Sequence, residues 1–181
     1  MEVITGYFNK KKIINEIKAG KIFIYPTDTI YGLGCDATNT RAIRKIREIK
    51  RRSAKPFSVI APSKEWIVKN CKASMEDIKN LPGPYTYFVD LKNVKAVSSA
   101  INPEGNTLGV RIPKHWFSEI VSEANTPFVT TSVNLSGETH MEYIDDLPDS
   151  IKKAADYIIY EGPLRGESST KIDLTNLNSK L

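Results

Sequence analysis

The apolar residues of the chain recur with two periods that trade places along its length. Over residues 9–19, Ile13, Ile14 and Ile17 share one helical face, Asn9 stands at the cap position and Gly20 follows the last turn, so a helix is predicted. Residues 21–25 read as a short apolar strand ended by Pro26, which carries no ladder donor. A loop holding Gly32 and Gly34 follows. Thr40 is the predicted cap of a second helix, whose apolar stripe is Ile43, Ile46 and Ile49. Residues 57–61 have the apolar run of a buried strand. Residues 63–70 and 74–80 read as short helices, the second opened by the pair Ser74 and Asp77.

Strand patterns return at 85–91, after the turn Pro82-Gly83-Pro84, and at 107–112, before a helix near 114–122. Residues 127–131 form a strand that runs into the polar turn 132–137. A helix from Asp149 or Ser150 to about Ala155 and late strands at 157–160 and 171–174 complete the series. The alternation lacks the strict order of a doubly wound fold, so an α/β protein with a mixed twisted sheet is predicted. No repeat, low-complexity tract or linker interrupts it, and 181 residues fit one domain, 1–181.

Hydrophobic residues make up 40% of the chain and charged residues 26%, a balance that excludes general disorder and a collagen-like repeat. No apolar run approaches the ~20 residues of a membrane helix, and residues 1–12 contain no apolar signal core. Cys35 and Cys71, the only cysteines, stand far apart, which suits a reducing, cytoplasmic protein. His115 and His140 are the only histidines, too few to suggest a zinc enzyme or a histidine-based triad. The net charge of +5 favours anionic partners. The excess is local: Arg41, Arg44, Lys45, Arg47, Lys50, Arg51, Arg52 and Lys55 face the single acid Glu48. A solvated helix face is the plain explanation of such a run.

Several segments carry polar groups where predicted strands end. Tyr25-Pro26-Thr27-Asp28-Thr29-Ile30-Tyr31-Gly32-Leu33-Gly34 sets two hydroxyls and a carboxylate beside glycines that let a ligand approach the backbone. Open α/β sheets bind ligands at such strand ends; a turn that satisfies its own backbone is the simpler alternative. Neither a Walker-type loop nor Gly-x-Gly-x-x-Gly is present. Lys50-Arg51-Arg52-Ser53-Ala54-Lys55-Pro56 closes the basic helix. One or two cations would serve the helix dipole; the surplus suits a triphosphate. Residues 130–137 and 168–173 add further hydroxyls beside strands. Arg111 is a lone charge in a strand pattern and needs a partner there, either an anionic ligand or a structural carboxylate.

In chain order, PTDTIYGLG, KRR…KP, PGPYT, GVRIP, TSVNLSG and SSTKID resemble the motifs of the YrdC/Sua5 family, over about residues 9 to 174. The resemblance implies a YrdC-like twisted mixed β-sheet with flanking helices around a basic concave cleft. It implies an L-threonylcarbamoyladenylate synthase, a nucleotidyltransferase that joins L-threonine, bicarbonate and ATP into L-threonylcarbamoyl-AMP and pyrophosphate for t6A modification of tRNA. Carried over by position, Lys50 and Arg52 take the catalytic place. Arg52, Lys55, Thr86, Ser132, Asn134 and Ser136 take the ATP side; Thr29, Arg111 and Ser169 take the threonine side. No residue is implied as a metal ligand, and Mg²⁺ is expected with the pyrophosphate leaving group. Threonine's amine and bicarbonate give a carbamate, already an anion, so the chemistry needs cations that bring two anions together rather than a protein nucleophile. tRNA and other t6A-pathway proteins are admitted as partners; a membrane is not.

Ser53, Phe57, Val133 and Lys171 replace the family's usual proline, leucine, alanine and an apolar residue. Residues 176–180 stand where the family commonly has a strand with an arginine-glycine element, and the chain resembles the short, single-domain form. A nucleic-acid-binding module without catalysis is the rival class, with the helix over 41–52 lying along RNA phosphates. Against it, no aromatic platform is interleaved with those cations. A third possibility, the carbamoyl-transfer domain of hydrogenase maturation proteins, belongs to longer chains with zinc-finger cysteines, which this sequence lacks.

Overall fold

Three helices begin where a short polar side chain accepts from the backbone N–H three residues on. In the computed structural model, which describes residues 1–6 and 8–175, Asn9 opens α1 (Lys10–Lys18), Asn39 opens α2 (Thr40–Ile49) and Ser63 opens α3 (Lys64–Asn70). Asn39 rather than Thr40 is therefore the second cap. Thr40 is already helical, and its hydroxyl meets Ser98 at 2.7 Å instead. Ser74 and Asp77 form the reciprocal bonds of a capping pair, at 2.8 and 3.3 Å, yet residues 75–80 close only turns. So few residues before Pro82 and Pro84 cannot offset the cost of helix nucleation. Residues 176–180 lie outside the described residues.

Among the described residues nine strands form one mixed sheet: β1 (Glu2–Ile4), β2 (Phe23–Tyr25), β3 (Gly32–Gly34), β4 (Ser58–Ile60), β5 (Tyr85–Asp90), β6 (Thr107–Arg111), β7 (Phe128–Ser132), β8 (Tyr157–Ile159) and β9 (Thr170–Asp173). Their order is β1-β8-β2-β3-β7-β4-β6-β5-β9. Helices α4 (Phe117–Ala124) and α5 (Asp149–Ala154) complete the framework. The sequence pattern misses β1 and assigns β3 to a loop. Glycine is depleted in strands, so the residues of β3 carry no strand signal. Their bareness has a use: a Cβ on Gly32 would stand 2.6 Å from the buried Tyr25 ring across the β2–β3 pair.

Alternation across each strand sorts side chains onto two faces. On one face Ile24, Leu33, Val59, Val110 and Val129 join a core with Ile43 and Ile46 of α2 and Ile151 of α5. On the other, Phe23, Tyr25, Ile60 and Phe128 meet Ile13 and Ile17 of α1 and Phe117 and Ile120 of α4. Each such side chain, fully buried, contributes roughly 1.5–3 kcal/mol, so helices settle where the face is apolar. Further along that same face the positions turn polar, with Ser58, Thr86, Arg111, Thr130 and Ser132. There the sheet stays free of helix and lines a cavity. Residues 160–169 run without regular structure from β8 to β9 and pass over this region. A Cβ on Gly166 of this strap would lie 2.0 Å from the Thr29 carbonyl oxygen. Among the described residues no helix is long and apolar enough to cross a membrane.

At the end of α2 the chain reverses through Arg51, whose φ is 50°. The Arg52 N–H donates back to the Arg47 carbonyl at 2.9 Å, and the Arg51 N–H to that of Glu48 at 3.0 Å. An L-residue in this left-handed conformation is strained by roughly 1–2 kcal/mol, which glycine avoids. After allowance for glycine's extra freedom in the unfolded chain, Arg51→Gly should stabilise the protein by up to ~1 kcal/mol, about 2–4 °C in a thermal melt. A lower melting temperature would mean that the Arg51 side chain contributes more than its backbone costs.

Candidate functional site

The polar half of the sheet face encloses a cavity of about 360 Å³. Four cations line it: Arg52, Lys55, Arg111 and Lys171. Hydroxyls surround them, and among the described residues none of the lining carries a carboxylate or an imidazole. Strand register explains the convergence. Thr86 on β5 is paired with Lys171 on β9, and Ser169, two residues earlier, brings its hydroxyl to 2.7 Å from that of Thr86. Ser58 on β4 lies between Gly109 on β6 and Thr130 on β7.

Arg111 sits at the base of the cavity, 6% exposed. Both partners weighed for it from sequence bear on the outcome, because a structural carboxylate is present: Nη2 donates to Asp28 Oδ1 at 2.7 Å. The other oxygen of Asp28 accepts from the Lys114 N–H at 2.8 Å. Burial lowers the Arg111 pKa and Asp28 opposes that shift. The guanidinium still faces the cavity, and its buried Nε has no hydrogen-bond partner. Thr29 stands behind it rather than in the lining. Thr27 gives its hydroxyl proton to the Ile30 carbonyl, so the Thr29 hydroxyl donates to Thr27 and accepts from Arg111 Nη2 at 3.2 Å.

The basic run divides into three groups. Arg47 and Lys50 are buried, Arg52 is half-buried, and Arg41, Arg44, Lys45, Arg51 and Lys55 are exposed. Arg41, Arg44 and Lys45 stay on the exposed face of α2 together with the acid Glu48, while Arg47 and Lys50 are withdrawn from it. Lys50, expected on phosphate, turns into the 132–134 turn. Its ammonium donates to the carbonyls of Ser132 and Asn134 at 2.6 and 2.7 Å, and to Asn134 Oδ1 at 2.9 Å. It is not part of the cavity lining, and neither are Asn134 and Ser136. The Asn134 side chain is engaged on both ends, accepting from the Ser132 hydroxyl at 2.6 Å and donating to the Glu138 carbonyl at 2.6 Å. Arg52 does reach the cavity, but Nε donates to the Lys55 carbonyl at 2.9 Å, Nη2 to that of Pro56, and Nη1 to the Thr131 hydroxyl at 3.3 Å. One N–H remains on each terminal nitrogen. Burial and the neighbouring Arg47 lower its pKa to about 10.

Of the residues singled out from sequence, the cavity thus gathers Arg52, Lys55, Thr86, Arg111, Ser132 and Ser169. Thr27, Tyr31 and Lys171, which carried no assigned ligand role, line it as well. Strand alternation from Ser169 to Lys171 is the signal that points to the last of these. A site built from cations and hydroxyls, with no nucleophile–base pair, acts by holding anions and stabilising developing negative charge.

Burial and the nearby Arg52 push the Lys50 pKa down to about 7, below its ordinary 10.5. Between those values the unfolded chain binds the proton that the folded chain has lost, so this group makes stability rise with pH across that window. Lys50→Met removes the effect. The melting-temperature difference between the unsubstituted protein and Lys50→Met should therefore widen from about pH 7 towards pH 10. A difference independent of pH would show that Lys50 keeps its proton in the fold.

A family model for Sua5/YciO/YrdC, described as telomere recombination, matches residues 15–181. A Methanocaldococcus jannaschii protein, provisionally named threonylcarbamoyl-AMP synthase, is 36% identical over 158 residues, which cover 84% of this chain and 71% of that one. A Vibrio vulnificus threonylcarbamoyl-AMP synthase is 26% identical over 161 residues, covering 84% of this chain and 86% of its own. Among solved structures, P. abyssi Sua5 complexed with L-threonine is similar with a TM-score of 0.82 at 28% identity, over 96% of this chain. The chain spans about half of that protein, 54%. With its match running from residue 15 to the last residue, the chain belongs to the Sua5/YciO/YrdC family.

Proposed function

We propose that this protein joins L-threonine, bicarbonate and ATP into L-threonylcarbamoyl-AMP and pyrophosphate, the activated group used in t6A modification of tRNA. The observation that carries this reading is the cavity wall, with four cations among hydroxyls and no carboxylate. The names of the M. jannaschii and V. vulnificus relatives, and threonine in the P. abyssi protein, support it.

The threonine amine adds to bicarbonate and loses water to give a carbamate. A carbamate oxygen attacks the α-phosphorus of ATP, and the bond to the β-phosphate oxygen breaks to release pyrophosphate. Two anions meet in that step, so the work of the protein is positional and electrostatic. Arg52, Lys55 and Lys171 take the triphosphate, since no carboxylate in the lining competes with it. Arg111, already balanced by Asp28, holds the threonine carboxylate through its free edge, with Ser169 and Thr86 beside it. Lys50 and Thr29 act one layer back, Lys50 by fixing the turn that bears Ser132 and Thr29 by bracing Arg111. Among the described residues no three His, Cys, Asp or Glu side chains cluster, so any Mg²⁺ would enter on the phosphate oxygens rather than in a protein-made cage.

Pyrophosphate release from ATP should require threonine and bicarbonate together; equal release with either omitted overturns the reading. Lys171→Met tests the least expected of the cations. Because Lys171 is exposed, its loss should leave the thermal melt unchanged while kcat/KM for ATP falls about 10-fold, less than the ~10²–10³ for a charge-stabilising donor shielded from water. An unchanged kcat/KM would remove Lys171 from the triphosphate side.

A further inference from the structure

Arg47 is a residue of the basic run that neither reaches the cavity nor faces solvent; it is 9% exposed. Its hydrogen bonds end on five backbone carbonyl oxygens. Nε donates to Ala100 at 2.7 Å and Nη2 to Ile101 at 2.8 Å, both in the 3-10 turn Ser99–Ile101. Nη1 lies 3.2 Å from each of the carbonyls of Arg52, Ser53 and Lys55. None of these acceptors belongs to α2, so Arg47 does not serve its own helix end. A cation that merely offset the helix dipole would bond the last carbonyls of that helix.

The turn it holds is the one that delivers Arg52 and Lys55 to the cavity. The carbonyl of Lys55 accepts from both guanidinium groups, Arg47 Nη1 and Arg52 Nε. Both groups also lie on the Phe57 ring, at 4.6 and 4.7 Å from its centroid. An aromatic face attracts cations where an aliphatic side chain does not. Three carbonyl oxygens gathered on Nη1 have their negative ends neutralised there. Released, they would add negative potential beside a site built for anions.

We propose that Arg47 is a positioning residue for the nucleotide: it fixes the 52–55 turn, and with it the place of Arg52 and Lys55 in the cavity. The proposal rests on reading that cavity as the ATP site. Its test is the dissociation constant of a non-hydrolysable ATP analogue, and separately that of threonine, measured by calorimetry for Arg47→Met and Arg47→Lys beside their thermal melts. The analogue should bind Arg47→Met about 10-fold or more weakly, with threonine affinity held within about twofold, because a small displacement of a charged group is enough to lose a binding contact. Arg47→Lys should recover only part of the loss, since one ammonium cannot span five carbonyls in two segments. Equal weakening of both ligands, or a lower melt with both constants unchanged, overturns the proposal. If Arg47→Met does not fold, Arg47→Lys decides by the same split; failure of both to fold makes Arg47 a folding residue and overturns the positioning role. Should the unsubstituted protein bind the analogue yet release no pyrophosphate with threonine and bicarbonate, the proposed reaction falls while the comparison of constants still decides on Arg47. Absence of analogue binding to the unsubstituted protein overturns both.

Discussion

Buried cations held by backbone carbonyl oxygens govern the shape of this protein's site. Taking a guanidinium or an ammonium out of water costs several kcal/mol unless its donors find acceptors. Lys50 and Arg47 find theirs on the main chain rather than on carboxylates. Each therefore gathers loop backbone that has no ladder of its own. Lys50 draws in the turn after β7, and Arg47 draws the turn after α2 against the 3-10 turn at Ser99–Ile101. Arg52 and Lys55, which face the cavity, stand on a turn ordered by Arg47, which does not.

Charge is thus layered across the site. Arg111 is neutralised from behind by Asp28, whereas Arg52, Lys55 and Lys171 have no carboxylate in the cavity wall. A ligand with one carboxylate and a ligand with several phosphates would meet different surroundings in one cavity. The same sheet face that binds α1 and α4 through Phe23, Tyr25, Ile60 and Phe128 becomes the floor of that cavity once its inward positions turn to Ser58, Arg111 and Thr130. A change of residue type along one face builds the floor, and the 52–56 turn and the end of the strap supply more of the wall.

Much of this was legible in the sequence. The apolar runs mark β2, β4, β5, β6 and β7, and the 3.6-residue stripes mark α1 and α2, because these patterns report burial directly. The residues of β3 carry no such pattern, since glycine in a strand is invisible to hydrophobic periodicity and only the pairing with β2 and β7 orders them. The site was legible as segments and less so as contacts. Residues 50–56 announce a cation cluster, but helical spacing cannot say that Lys50 turns into the 132–134 turn while Lys55 stays free. Thr40 is the cap expected, but Asn39 before it is the better capping residue, and the Ser98 hydroxyl engages Thr40 instead. Lys171 looked like a departure from the motif, and its register opposite Thr86 turns it into part of the wall.

The connection from β8 to β9 also acts as a ruler. Six strands separate the two in the sheet, seven spacings of about 4.8 Å, or roughly 34 Å along the surface. The eleven steps from Ile159 to Thr170 reach at most about 36–40 Å when fully extended. The strap therefore has little slack, and its bareness at Gly166, pressed on the Thr29 carbonyl, is what lets it take the short way across. Flattening the sheet fully would draw this tether nearly straight, so the length of an unstructured segment leaves little reserve for widening the cavity.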